Sequence, residues 1–244
     1  MQTQLVTYED QGTVLEGFMA FDPDISGPRP AVILCHAWRG RDDFVCEKAV
    51  EIASQGYATF ALDIYGKGKL GTNKDENTAL MMPFINNRLL LRSRLLAAFK
   101  TFKEQPIVDS DKIATIGFCF GGLCALDFAR SGADLRGAIS VHGMLNKPSN
   151  QVKCESIKAK ILALHGNDDP LVPPEIVSIF EQEMTDAKAD WQIHIYGGTM
   201  HAFTNPMAKD PDFGTVYNPL SAKRAWLSVR NFLAECFAGE SEHV

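Results

Sequence analysis

Residues 116–122 read Ile-Gly-Phe-Cys-Phe-Gly-Gly, and the way this stretch is read decides the fold. The apolar run "KIATIGF" that contains its start has the make-up of a buried strand. The following "FGGLCALDFARSG" has the spacing of a helix. A cysteine therefore stands between glycines where a strand gives way to a helix. Gly117 and Gly121 flank it, and residues without a Cβ allow close backbone approach and strained dihedrals. With serine in place of cysteine the same outline, G-x-S-x-G, is a nucleophile elbow. The bland alternative is a buried thiol beside a Gly-rich turn, and that is the reading for Cys124, five residues on.

Working outward, "QLVTY" and "TVLEGFMAF" predict two short strands joined at Asp10-Gln11-Gly12. "AVILCH" (31–36) is a continuous apolar run of the kind that fills a parallel strand. A helix is expected over 42–55, closed by Gly56, then a strand over 57–66 and a surface loop over "GKGKLGTNKDEN". A long helical pattern follows, interrupted near its start by Pro83 and Asn86-Asn87. "RGAISVHG", "AKILALHG" and "WQIHIYGG" read as strands. "EIVSIFEQEMTDA" and "SAKRAWLSVRNFLAECF" read as helices. Strands alternating with helices predict an α/β fold with a mainly parallel central sheet covered on both faces. No repeat or linker breaks the pattern, so residues 1–244 are expected to form one domain.

Composition narrows the function classes. The 244 residues carry a formal charge of -6, against the basic face usual in nucleic-acid binding. No apolar run is long enough to predict a membrane span, and no signal peptide is visible, so a cytoplasmic location is expected. The six cysteines contain no C-x-x-C pair and match no zinc framework, so no metal is expected.

In such a sheet the loops at the carboxyl ends of the strands share one crevice. Those ends carry His36-Ala37-Trp38, Asp63, Cys119, His142, His165 through Asp169, and His201. Cys119, an aspartate of "HGNDDPLVP" and His201 follow the order nucleophile, acid, base. Cys119 sits at a helix N-terminus, whose partial positive charge favours thiolate, the nucleophilic form. The spacing favours Asp169 as the orienting acid, with Asp168 as the alternative. Two backbone N–H groups, of Phe120 and of Trp38, are placed to serve as an oxyanion hole. His142 and His165 could line the crevice, but strand-end histidines more often bond locally. His36 is read as shaping the site, His194 as a strand residue and His243 as part of a charged tail.

The motifs "GFCFGG", "HGNDDPLVP", "YGGTMHAFTNP" and "DIYG" resemble, in this order and over almost the whole chain, the dienelactone hydrolase family of the α/β-hydrolase fold. The resemblance implies a triad of Cys119, Asp169 and His201. Two positions depart from the family pattern. Where the family has a glutamate that helps control the thiolate, "CHAWRG" has Ala37. Where the family has an arginine four residues after the histidine, this chain has Asn205, and an uncharged amide cannot form a bidentate ion pair. A substrate other than dienelactone itself is therefore expected.

The expected activity is hydrolysis of a small ester, lactone or thioester through a thioacyl-enzyme, without metal or organic cofactor. Arg39, Tyr65, Phe203 and Asn205 are candidate substrate contacts; Arg88, Arg92 and Arg94 are candidate anion binders or else solvated helix surface. Two rival readings stay open: acyl transfer or peptidase-like use of the same triad, and a non-catalytic binding or redox thiol on this scaffold. The oligomeric state is not legible.

Overall fold

A computed structural model describes residues 1–149, 152 and 154–238. The chain runs β1 (Gln2–Asp10), β2 (Thr13–Phe21), β3 (Arg29–Cys35), α1 (Asp43–Ala53), β4 (Ala58–Ala61), α2 (Lys74–Asn86), α3 (Arg88–Lys103) and β5 (Val108–Phe118). It continues through α4 (Phe120–Arg130), β6 (Gly137–Val141), β7 (Lys160–Gly166), α5 (Pro174–Asp186), β8 (Trp191–Tyr196), the short β9 (Lys209–Asp210) and β10 (Thr215–Val216), and α6 (Pro219–Phe237). Eight strands form one sheet in the order β1-β2-β4-β3-β5-β6-β7-β8. The pairs β1–β2 and β2–β4 are antiparallel, and every other pair is parallel. The central sheet is thus mostly parallel, as expected.

Alternation along the strands sorts the core into two layers. Ile33, Cys35, Ile113, Ala138 and Ala163 face α2 to α5 through Phe84, Leu95, Phe102, Leu126 and Phe180. Val32, Leu34, Ala114, Ile116, Ile139 and Leu162 face α1 and α6 through Ala49, Ile52, Val229 and Phe232. The central strands are buried on both faces, which is why they read as unbroken apolar runs.

Local chemistry moves several expected boundaries. β4 stops at Ala61, short of the predicted 57–66, because Asp63 Oδ1 accepts the N–H groups of Tyr65 (2.9 Å) and Gly66 (3.0 Å) and bends the chain. α2 starts within the predicted loop because Asn73 caps it, its side chain accepting the Glu76 N–H at 2.9 Å. Asn87 ends α2 and caps α3, accepting the Leu90 N–H at 3.0 Å, so the predicted break is a helix–helix junction. The β9–β10 hairpin was not legible from the sequence pattern.

Arg88 and Arg94 correct the expectation of solvated surface or anion binding. Both are buried: Arg88 forks onto Asp127 (2.5 and 2.8 Å), and Arg94 pairs with Asp10. Arg130 joins the first pair, bonding Asp127 (3.1 Å) and Glu183 (2.6 Å), so charge ties α3, α4 and α5 together. Buried arginines persist only when paired in this way. Among the described residues no helix is long and apolar enough to cross a membrane. His243 lies outside the described residues.

Candidate active site

The turn between β5 and α4 holds Cys119 in a strained conformation, φ 57° and ψ -118°. Two glycines make the turn possible by close approach. A Cβ on Gly117 would collide with the Gly121 carbonyl, and a Cβ on Gly121 with the Cys35 carbonyl at the end of β3. The Cys119 N–H is shared between the Val141 carbonyl (3.1 Å) and His142 Nδ1 (3.2 Å), which fastens the turn to β6.

His201 reaches this turn from the opposite side. Gly166, at the end of β7, has no side chain where the Thr199 carbonyl passes, and Asp168 N–H bonds that carbonyl at 2.9 Å. The 197–201 segment is thereby laid against the loop that carries the aspartates. The β9–β10 hairpin holds it from outside: His201 N–H donates to Gly214 O (2.9 Å), and Val216 N–H donates to His201 O (3.0 Å). The His201 ring donates from Nδ1 to Asp169 Oδ2 at 2.7 Å, while Asp169 Oδ1 accepts the Leu171 N–H at 2.9 Å. Asp169 is buried and Asp168 exposed, so of the two aspartates it is Asp169 that meets the histidine.

Burial works against a charged His201, but the electrostatic influence of Cys119 and the bond to Asp169 outweigh it and hold its pKa up at about 10. Nε2 has no aligned hydrogen-bond partner, although Cys119 is near enough to act on the ring electrostatically. His142 packs edge-to-face against His201 at 5.3 Å between ring centres. Burial, then the neighbouring His201, push its pKa well below the ordinary histidine range. Its tautomer follows from its partners: Nδ1 accepts from Cys119, so the ring proton is on Nε2 and donates to Thr204 Oγ1 at 2.8 Å.

A cavity of about 460 Å³ opens over these groups. Cys119, His142 and His201 form part of its lining, and Trp38, Phe44, Met81, Phe118, Leu171 and Phe213 give it apolar walls. Trp38 and Phe213 stack at 5.6 Å between ring centres. Arg39 and Asn205 also line it. The Arg39 guanidinium is partly engaged, donating to Gly71 O at 3.1 Å and lying 3.9 Å from Asp42.

Tyr65 and Phe203 require correction as substrate contacts, because both are buried outside the lining. Tyr65 donates to the Trp38 carbonyl at 2.9 Å and braces the loop that carries Trp38. Phe203 packs between His142 and Tyr196. His36 bridges Ala37 O (2.7 Å) and the Ile64 N–H (3.2 Å), shaping the end of β3. Asn77, Thr78 and Met81 from α2 and Phe213 from the hairpin were missed. One signal was available for Phe213: the long stretch between β8 and α6 exceeds an ordinary connection, and such loops are commonly functional.

Residues 15–237 match the model of the dienelactone hydrolase family. The chain belongs to the dienelactone hydrolase family. A dienelactone hydrolase-like promiscuous phosphotriesterase from metagenomic libraries superposes with a TM-score of 0.91 at 32% identity, covering 97% of this chain and 99% of that one. An uncharacterized protein of Caenorhabditis elegans is 37% identical over 151 residues, 61% of this chain and 95% of its own length. The dienelactone hydrolase of Anabaena variabilis, 18% identical with a TM-score of 0.69 over 96% and 98% of the two chains, shares the fold. Membership of this family supports hydrolysis of esters and lactones.

Proposed function

We propose that this dienelactone hydrolase family member is a single-domain cysteine hydrolase of small carboxylic esters or lactones. The observation that carries the reading is the 2.7 Å bond from His201 Nδ1 to buried Asp169, with Nε2 unpartnered beside Cys119 on the lining of an apolar cavity. Cys119 Sγ attacks the acyl carbon and the carbonyl electrons move to oxygen. The tetrahedral oxyanion lies toward the backbone N–H groups of Phe120 and Trp38. As it collapses, the C–O bond to the leaving alcohol breaks and His201 Nε2 supplies the alkoxide with a proton. Water then attacks the thioester while His201 takes its proton, and expulsion of the thiolate restores the enzyme. Asp169 holds the imidazole in the required tautomer throughout.

The test is mass spectrometry of the enzyme mixed with a p-nitrophenyl ester, beside steady-state turnover of Cys119→Ala. An adduct of acyl mass on the peptide containing Cys119, absent from the variant, is the expected result. Full turnover by a folded Cys119→Ala would remove the cysteine from the mechanism.

A further inference from the structure

The cavity walls contain two asparagine side chains whose amide NH₂ groups have no hydrogen-bond partner among the described residues. Asn77, on α2, is only 8% exposed, yet neither end of its amide has a hydrogen-bond partner among the described residues. Its oxygen is fully enclosed and lies against Gly71, where any Cβ would collide with it. The structure sets that oxygen toward the Gly71 Cα–H, a weakly favourable contact. The nitrogen is not so enclosed, and Asn77 lines the cavity.

Asn205 approaches from the loop after His201. Its Oδ1 accepts the Met207 N–H at 2.9 Å, a bond only the oxygen can make, so the NH₂ end is again the one left over. It has no partner among the described residues, and Asn205 too lines the cavity. Two amides from separate elements therefore keep their oxygens against the protein and their donors free. Neither donor is committed to the protein, so a ligand oxygen in the cavity can accept from it without displacing a bond within the protein.

We propose that Asn77 and Asn205 form a neutral donor pair that selects substrates bearing an acceptor oxygen, such as a ketone or ether, on the part that is not cleaved. The chemistry favours an uncharged acceptor over a carboxylate. The donors carry no formal charge, the Arg39 guanidinium is shared with Gly71 and Asp42, and Asp42 itself lines the cavity. The proposal rests on reading this cavity as the substrate site of the hydrolase, but its test needs no turnover.

The experiment is calorimetric binding of two non-hydrolysable anilides of closely similar shape, 4-oxopentananilide and 4-methylidenepentananilide. The wild-type protein is expected to bind the oxo compound about tenfold more tightly. Asn77→Asp and Asn205→Asp keep side-chain size and an oxygen at each site but replace the donor with an acceptor. Each is expected to remove most of that preference while leaving the hydrocarbon probe within about twofold. Equal binding of the two probes by wild type, or a preference that survives in both variants, would overturn the proposal. If one variant does not fold, the wild-type preference and the other variant decide. Because binding is read without catalysis, a failed thioacyl mechanism and a failed donor pair give different results.

Discussion

The Nδ1–H of His201 is donated to Asp169 Oδ2 across 2.7 Å, and both side chains are buried. An amide at 169 can present its NH₂ to the ring and reverse the tautomer, which strands the proton on the nitrogen that must accept one. Asp169→Asn is expected to lower ester turnover by about 10⁴-fold with the fold intact. Turnover within tenfold of wild type, in a variant that melts normally, would mean that Asp169 does not orient the histidine.

Cys119 acts on the same ring from the other side. Burial opposes charge on His201, and Cys119 is the largest influence holding its pKa up at about 10. Cys119→Ala is therefore expected to lower the His201 pKa, measured by NMR titration of the ring. In the wild type the folded ring keeps its proton above the ordinary 6.5, so its stabilising contribution is complete below 6.5 and fades as pH rises through about 10. An unchanged ring pKa in the variant would break this link.

Three other histidines act in the acid range. Burial lowers the pKa values of His36, His142 and His165, so the folded state resists protons that the unfolded chain accepts. The sign follows: their contribution is present above about 6.5 and is lost as pH falls below it. The urea midpoint is expected to drop between pH 7.5 and pH 5. His142→Gln should flatten that slope even though it lowers stability at pH 7.5. A slope unaltered by the substitution would exclude His142 as a contributor.

The elbow glycines make a further contrast. Gly121→Ala drives a methyl group into the backbone carbonyls of Cys35 and His36, so destabilisation of at least about 3 kcal/mol is expected. Gly197→Ala places its methyl group in open space, and a change within about 0.5 kcal/mol is expected. Urea denaturation of the two variants checks both, and a neutral Gly121→Ala would contradict the close packing of the turn.

The features legible in the sequence are those written in local spacing. Apolar runs, a glycine on either side of Cys119 and the order of Asp169 and His201 sufficed for the strands, the elbow and the triad candidates, because each depends on neighbours along the chain. Asp169 was favoured there over Asp168, and it is Asp169 that lies 2.7 Å from the His201 ring. The roles of the arginines, Tyr65, Phe203 and His142 were not legible.

What the sequence by itself determined is the alternating architecture and the positions at which chemistry can occur. Only the tertiary structure decided which side chains share that chemistry. Arg88 meets Asp127 39 residues away, Arg94 meets Asp10 84 residues away, and His142 meets Thr204 62 residues away. Helical spacing alone reads the arginines as surface, because a charged side chain is buried only when a distant partner arrives to neutralise it. The cavity follows the same logic: Asn77 and Asn205 belong to segments with no local pattern in common, and folding alone turns both toward one space.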